Sequence, residues 1–290
     1  MFEGSMVALV TPFKKGKVDE KKLAELVEFH IKNGTSAIVP CGTTGESATL
    51  SYEEHDRVIE VVIEAANKMI PVMAGTGSNS TDEAIMLTRH AKKAGADASL
   101  QVSPYYNRPT QEGLYLHFKK IAEEVDLPIV VYNIASRTGV NIEPETMERL
   151  SKVKNLAGVK EASGNLDQMS RIHALCGDKF DLISGDDSLT LPVMAIGGTG
   201  VISVVNNIVP KDVADLVAKF KKGDIAGARK LHYKLLPLIK VIFIETNPIP
   251  VKTAMSLMGM IEMDLRLPMC NMAPANLEKL KKVMKDYGLL

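Results

Sequence analysis

Residues 127–161 read LPIVVYNIASRTGVNIEPETMERLSKVKNLAGVKE, and two short runs inside this stretch decide the fold. Ile129 to Tyr132 and Leu156 to Lys160 are apolar and rich in β-branched residues, the mark of buried strands. The pattern extends in both directions. Val7 to Val10, Ala37 to Pro40, Pro71 to Ala74 and Ala98 to Ser103 precede the pair, and Leu182 to Ser184 and Val201 to Val204 follow it, which makes eight strand candidates. Between them, apolar residues fall three and four apart, as at Leu23, Leu26, Val27 and Ile31 and at Val58, Ile59, Val62 and Ile63, the spacing of amphipathic helices. Ser51 with Glu54 and Ser80 with Glu83 read as capping boxes that start two of these helices.

A strand and helix unit that recurs about every 30 residues, eight times over, predicts an α/β fold: a (β/α)8 barrel with parallel strands. The alternative is an open, doubly wound sheet. Against it, no Gly-x-Gly-x-x-Gly opens the first strand-to-helix turn, where Val10, Thr11, Pro12 and Phe13 stand. After Gly223 and Asp224 only helical patterns remain, from Ile225 to about Ile244, from Val251 to Met258 and from Asn276 to Lys285. Residues 1–224 are therefore read as the catalytic barrel, and 225–290 as a C-terminal helical appendage whose expected role is at an oligomer interface.

Composition narrows the function. A chain of 290 residues buries about three quarters of its unfolded surface, enough for one large core without metal or disulfides. Lysine plus arginine balances aspartate plus glutamate, 35 against 35, which argues against a nucleic-acid or anionic-membrane surface as the main partner. The longest apolar stretch, Leu235 to Ile244, is interrupted by Pro237 and Lys240 and falls short of the roughly 20 residues of a membrane helix. The run from Met6 to Val10 is too short for a signal sequence. Cys41, Cys176 and Cys270 are three and widely spaced, as in a reducing compartment, so a soluble cytoplasmic protein is expected. No two of the six histidines stand at ligand spacing, and neither metal nor cofactor is expected.

In a parallel barrel the chemistry sits at the carboxyl ends of the strands. There the sequence offers Gly42-Thr43-Thr44-Gly45-Glu46, Pro104-Tyr105-Tyr106, Tyr132-Asn133 and Lys160-Glu161. Lys160 shares a strand face with Gly158 and Ala162, whose small size leaves room for a long side chain. Confinement in an apolar site disfavours the ammonium form and frees an amine that attacks carbonyls, whereas a lysine at a strand end otherwise reaches out to solvent. Tyr132 is positioned for acid and base work, its alternative being a buried phenol with a satisfied hydroxyl. Thr43 and Thr44 lie between glycines, where amides and hydroxyls suit a carboxylate or simply make a tight turn. The ends of the last two strands, Gly185-Asp186-Asp187 and Ser203 to Asn206, lack the glycine-rich turns of phosphate sites, which favours a non-phosphorylated substrate. Gly197-Gly198-Thr199-Gly200 precedes the last strand, at the other end of the barrel, and Asp186-Asp187 reads as a helix cap for the segment from Ser188.

Gly42-Thr43-Thr44-Gly45-Glu46, Tyr132-Asn133, Gly158-Val159-Lys160-Glu161 and Asn247-Pro248-Ile249-Pro250-Val251-Lys252, in this order, resemble the dihydrodipicolinate synthase and N-acetylneuraminate lyase family of pyruvate-dependent class I aldolases. The resemblance runs along essentially the whole chain. It implies a Schiff base between Lys160 and pyruvate, with Tyr132 as proton donor and acceptor. Thr43 and Tyr106, the latter from a neighbouring subunit, would complete its relay. Thr44 and the backbone of Ile202 would hold pyruvate, and Gly185 would line the pocket.

Ser136-Arg137-Thr138-Gly139 resembles the branch that condenses pyruvate with aspartate semialdehyde, on the route to diaminopimelate and lysine, with Arg137 on the second carboxylate. Ala135 stands where the family usually has proline, which implies a more mobile loop. Ser47, Ala48, His55, Asn79, Glu83 and Tyr105 match positions that bind inhibitory lysine in sensitive members, although Tyr52 replaces a histidine often found there and Glu83 also fits a capping role. A homo-oligomer is implied, with a tetramer preferred over a dimer. The alternatives are a lyase for sialic acid or a keto-deoxy sugar acid, which has little use for Arg137, and a non-catalytic keto-acid-binding protein.

Overall fold

The structure, a computed structural model, describes residues 2–290. Its strands are β1 (Gly4–Ala8), β2 (Phe13–Lys14), β3 (Lys17–Val18), β4 (Ala37–Val39), β5 (Met73–Gly75), β6 (Ala98–Val102), β7 (Ile129–Asn133), β8 (Leu156–Glu161), β9 (Asp181–Ser184) and β10 (Gly200–Ser203). The barrel helices are α1 (Glu20–Lys32), α2 (Tyr52–Ala66), α3 (Thr81–Ala94), α4 (Gln111–Glu124), α5 (Ala135–Thr138), α6 (Pro144–Ser151), α7 (Leu166–Cys176), α8 (Thr190–Ala195) and α9 (Pro210–Lys221). Three helices follow: α10 (Ile225–Ile242), α11 (Ile249–Leu257) and α12 (Pro274–Tyr287).

Among the described residues, eight strands form one sheet in the order β4-β1-β10-β9-β8-β7-β6-β5, every pair parallel. A parallel bridge from Ile38 to Val72 joins the two ends, so the sheet closes and the open-sheet alternative is excluded. Alternation along the strands then sorts the core. Met6, Ala8, Ala37, Val39, Met73, Ala98, Leu100, Val130, Tyr132, Ile183 and Ile202 fill the barrel interior as one cluster. Two larger clusters lie between sheet and helices. One of them runs on from Val27, Val58 and Val213 into Leu238, Ile242, Met255, Leu280 and Met284 of the last three helices, so barrel and tail share an apolar layer.

The strands found match the eight expected to within a few residues, with one real shift. The first runs from Gly4 to Ala8 rather than from Val7 to Val10, because the ladder to β10 begins at Gly4 opposite Gly200. Pairing sets that start, and polar Ser5 gave no apolar signal for it. Gly200 is required there: a Cβ would come within 2.0 Å of the Gly4 carbonyl oxygen. The small antiparallel hairpin of β2 and β3 was not expected.

Ser51 and Glu54 form a complete capping box. Ser80 and Glu83 do not. Ser80 accepts from the Glu83 amide at 3.5 Å, but the Glu83 carboxylate takes the Tyr52 hydroxyl at 2.5 Å and the Ser78 hydroxyl, and Ser78 also receives the Ser80 amide. A better pair of donors has drawn the side chain away from the cap.

Candidate active site

The register of β7 against β8 sets Tyr132 directly beside Lys160. Both side chains face the interior, and each residue is 6% exposed. The Lys160 Nζ lies 4.1 Å from the Tyr132 ring centroid. Burial pulls the lysine pKa down to about 7; the nearby Asp187 carboxylate works against this and the Arg137 charge works with it. Near neutral pH a large share of Lys160 is therefore free amine, the nucleophilic form. Burial pushes the Tyr132 phenol up to about 12, while the Arg137 charge and the Thr43 hydroxyl pull it back. It stays protonated at neutral pH and can donate to an oxygen bound beside the amine.

Behind the strands, on the face away from the barrel interior, Glu161 holds this pair in place. Its carboxylate accepts from Asn133 Nδ2 at 2.9 Å, Gln168 Nε2 at 3.3 Å and the Ser163 amide at 2.7 Å. Asn133 continues the network to Asn141 Oδ1 at 2.9 Å and to the Ile142 amide at 3.1 Å. A buried carboxylate is tolerable because it has several donors. Gly185, at the end of β9, gives Lys160 its space: a Cβ there would stand 3.2 Å from the lysine Cγ and 2.7 Å from the Ala162 Cβ.

Thr43 and Thr44 sit on the turn after β4. Thr44 is buried, and its Oγ1 accepts from Asn247 Nδ2 at 3.0 Å. Neither threonine amide donates to another group among the described residues, so both remain open to an anion. Arg137, on α5, is exposed and donates from Nη2 to the Asn247 carbonyl at 3.2 Å. Asn247 thus touches both groups expected to meet carboxylates. Ile202, on β10, belongs to the interior cluster that includes Tyr132.

Tyr106 alone stands apart, 91% exposed and at φ +70°. The single chain does not bring it to Tyr132. Among the described residues no group of three or more histidine, cysteine, aspartate or glutamate side chains could hold a metal ion, and no helix is long and apolar enough to cross a membrane.

Of the six residues expected around an effector, Asn79, Glu83 and Tyr105 come together. Asn79 Nδ2 donates to the Tyr105 carbonyl at 3.3 Å, and the Glu83 charge helps burial to hold the Tyr105 phenol above its ordinary value. His55 turns inward to the Gly75 carbonyl at 2.9 Å. Ser47 and Ala48 lie on a short 3-10 turn, Ser47–Thr49.

Asp186 and Asp187 need separating. Asp186 is the expected cap, accepting from the Ser188 amide and hydroxyl, both at 2.8 Å. Asp187 is not a cap. It is buried and accepts from the amides of Val204 at 2.9 Å and Val205 at 3.4 Å, so it ties the end of β9 to the end of β10. Burial raises its pKa to about 6, against the pull of Ser203 and the two amides. Two identical neighbours in the sequence carry no signal as to which one turns inward.

The dihydrodipicolinate synthetase family model matches residues 1–287. The chain is 60% identical over 290 residues to the 4-hydroxy-tetrahydrodipicolinate synthase of Syntrophus aciditrophicus (strain SB), with all of both chains covered. The crystal structure of dihydrodipicolinate synthase from Aquifex aeolicus matches with a TM-score of 0.98 at 55% identity, over 99% of each chain. The structure of the Cyanidioschyzon merolae protein with lysine bound matches with a TM-score of 0.97 at 40% identity, over 100% of this chain and 99% of that one. With likeness running the length of each of these proteins, the chain belongs to the dihydrodipicolinate synthetase family.

Proposed function

We propose that this site condenses pyruvate with L-aspartate 4-semialdehyde to 4-hydroxy-tetrahydrodipicolinate, in diaminopimelate and lysine biosynthesis, through a Schiff base on Lys160. The observation that carries this is a buried amine with a pKa near 7 beside a protonated phenol, at the carboxyl end of a closed parallel barrel. The amine adds to the keto carbon, Tyr132 returns a proton to the former carbonyl oxygen, and water leaves. The resulting iminium loses a methyl proton to give an enamine, whose carbon attacks the aldehyde. The semialdehyde's own amine then displaces Lys160, which closes the ring and restores the enzyme.

Thr44 and the Ile202 backbone hold the pyruvate carboxylate, and Gly185 leaves room along the lysine. Arg137, a planar donor, takes the carboxylate of the second substrate and favours the semialdehyde over a sugar acid. Thr43 passes protons between Tyr132 and the Tyr106 of a neighbouring subunit. The exposure of Tyr106 supports a homo-oligomer, for which we favour a tetramer. Residues 1–224 supply the chemistry and 225–290 its support. The cytoplasm suits the pathway and the unpaired cysteines.

Lysine feedback through Ser47, Ala48, His55, Asn79, Glu83 and Tyr105 is part of the proposal, since the Glu83 carboxylate suits an ammonium group. Turnover should fall at millimolar lysine, and unchanged turnover removes that site. For the Schiff base itself the test is borohydride reduction with pyruvate, followed by peptide mass mapping. The adduct belongs on Lys160; an adduct on any other residue, or none, ends the mechanism.

A further inference from the structure

The turn that carries Thr43 and Thr44 is strained at both ends. Cys41 at φ +54° and Glu46 at φ +52° are non-glycine residues in the left-handed region, and such residues persist only where their surroundings over-determine them. The turn has its own backbone bonds, from the Gly45 amide to the Gly42 carbonyl at 3.1 Å and from the Glu46 amide to the Thr43 carbonyl at 3.2 Å. Further support comes from distant parts of the chain. Thr11 Oγ1 donates to the Gly45 carbonyl at 2.7 Å, and Asn247 donates to Thr44.

Glu46 takes the Lys252 ammonium at 2.6 Å, with the two side chains 1% and 0% exposed, and the Arg266 amide at 3.3 Å. The Lys252 ammonium also lies 4.2 Å from the centre of the Phe13 ring, and the Arg266 guanidinium covers the same ring at 4.4 Å. From there Arg266 donates to the Thr49 carbonyl at 2.8 Å and to both Glu54 oxygens, at 2.6 Å and 2.5 Å. Three residues between 247 and 266 thus grip the two sides of one short turn more than 200 positions earlier in the chain.

We propose that the buried Glu46–Lys252 pair is a positioning device for the keto-acid carboxylate: it fixes the strained turn that presents the Thr43 and Thr44 amides and the Thr44 hydroxyl to that carboxylate. Stability alone accounts poorly for it. A buried ion pair holds a fold no better than apolar residues of the same volume. Its value lies in direction, because the carboxylate belongs to the strained residue two positions after Thr44. Asn247 and Lys252 reach the turn from one segment, so the loop before α11 and α11 itself act as its template.

The inference rests on the assignment of pyruvate to Thr44, and the experiment separates the two. The full-length double variant Glu46→Gln/Lys252→Met removes both charges and keeps the volume. Its melting temperature should stay near that of the parent, and its KM for pyruvate should rise by about tenfold or more, with kcat changing less. Borohydride should still trap pyruvate on Lys160 at saturating concentration.

A folded double variant whose KM for pyruvate stays within about twofold of the parent's overturns the proposal. Failure of the parent itself to form the adduct sinks the Schiff-base assignment instead. If the double variant does not fold, hydrogen exchange of the unaltered protein decides. On adduct formation, amides of 42–46 and of 247–253 should slow together, and slowing confined to 42–46 overturns the coupling.

Discussion

Two parts of the barrel rim do their work by opposite means. At β7 and β8 the proposed catalytic pair stands on regular strands, where register alone places Tyr132 beside Lys160 and the Glu161 network braces them from behind. After β4 the chain leaves the sheet at once. Thr43 and Thr44 sit on a turn with two left-handed non-glycine residues, held by Thr11, Asn247, Lys252 and Arg266 from far away in sequence. On the proposed assignment, the reacting groups are placed by secondary structure, and the groups that grip the substrate's end are placed by tertiary contacts. Damage to the first should therefore appear in kcat and damage to the second in KM.

The sharpest break comes at Lys160. Lys160→Ala should lower kcat by at least about 10³-fold and abolish the trapped adduct, since the other buried amine among the described residues, Lys252, is held by Glu46. Turnover within tenfold of the parent would mean the chemistry lies elsewhere. Tyr132→Phe keeps the ring against Lys160 and removes only the proton carrier, so kcat should fall by roughly 10²–10⁴-fold. Both effects belong to the strand side of the comparison. Arg137→Met should act differently: KM for the semialdehyde should rise by roughly 10- to 100-fold, the worth of a charge-assisted hydrogen bond, with KM for pyruvate little changed. Equal rises for both substrates would place Arg137 on the pyruvate carboxylate.

The pH profile sharpens the same contrast. In the proposed mechanism Lys160 acts as a neutral amine, and burial brings its pKa from the ordinary lysine range down to about 7. Below that pH it is protonated and idle, so kcat/KM for pyruvate should rise through an acid limb near 7. A limb near 10 would mean that the amine is not desolvated. The Asp187 carboxylate favours the ammonium form and the Arg137 charge disfavours it. Asp187→Asn should therefore move the limb to lower pH, and removing the Arg137 charge should move it to higher pH. Tyr132, at about 12, adds no basic limb through the ordinary working range.

Legibility in the sequence follows the same division. Eight strands, the parallel barrel and the places of Lys160 and Tyr132 are readable because strand periodicity is local and the barrel rule says which strand ends matter. The roles of Arg137 and Tyr106 are legible only through resemblance, and the surroundings of Thr44 are not readable at all. Asn247 joins Thr44 to Arg137 from more than 100 residues further along the chain than either, and Asp187 differs from Asp186 only in which way the chain turns. Glu83 looked like a cap by spacing, yet Tyr52 and Ser78 claim its carboxylate. Spacing rules see only near neighbours, so they are overruled wherever a distant group makes the better hydrogen bond.

Ala135 gives the smallest effect and tests whether the arm that carries Arg137 belongs with the braced strands or the tethered turn. It is the first residue of α5, with Ile134 as the N-cap, and the turn closes through the Arg137 and Thr138 amides on the Ile134 carbonyl at 3.0 Å and 3.1 Å and the Gly139 amide on the Ala135 carbonyl at 2.9 Å. The Ala135 amide itself donates to nothing among the described residues. A first helical position with an idle amide is where proline fits without loss of a bond. Ala135→Pro should therefore raise stability by about 0.4–1 kcal/mol, acting mainly on the unfolded chain, and should leave kcat and both KM values unchanged. The opposing factor is Ile134, whose ψ of 76° lies short of the extended range preferred before proline. A higher melting temperature with unaltered kinetics shows that the turn is already set with alanine and that the arm belongs with the braced strands. A lower KM for the semialdehyde alone shows that alanine leaves the arm loose, so that Arg137 depends on tethering as the threonine turn does.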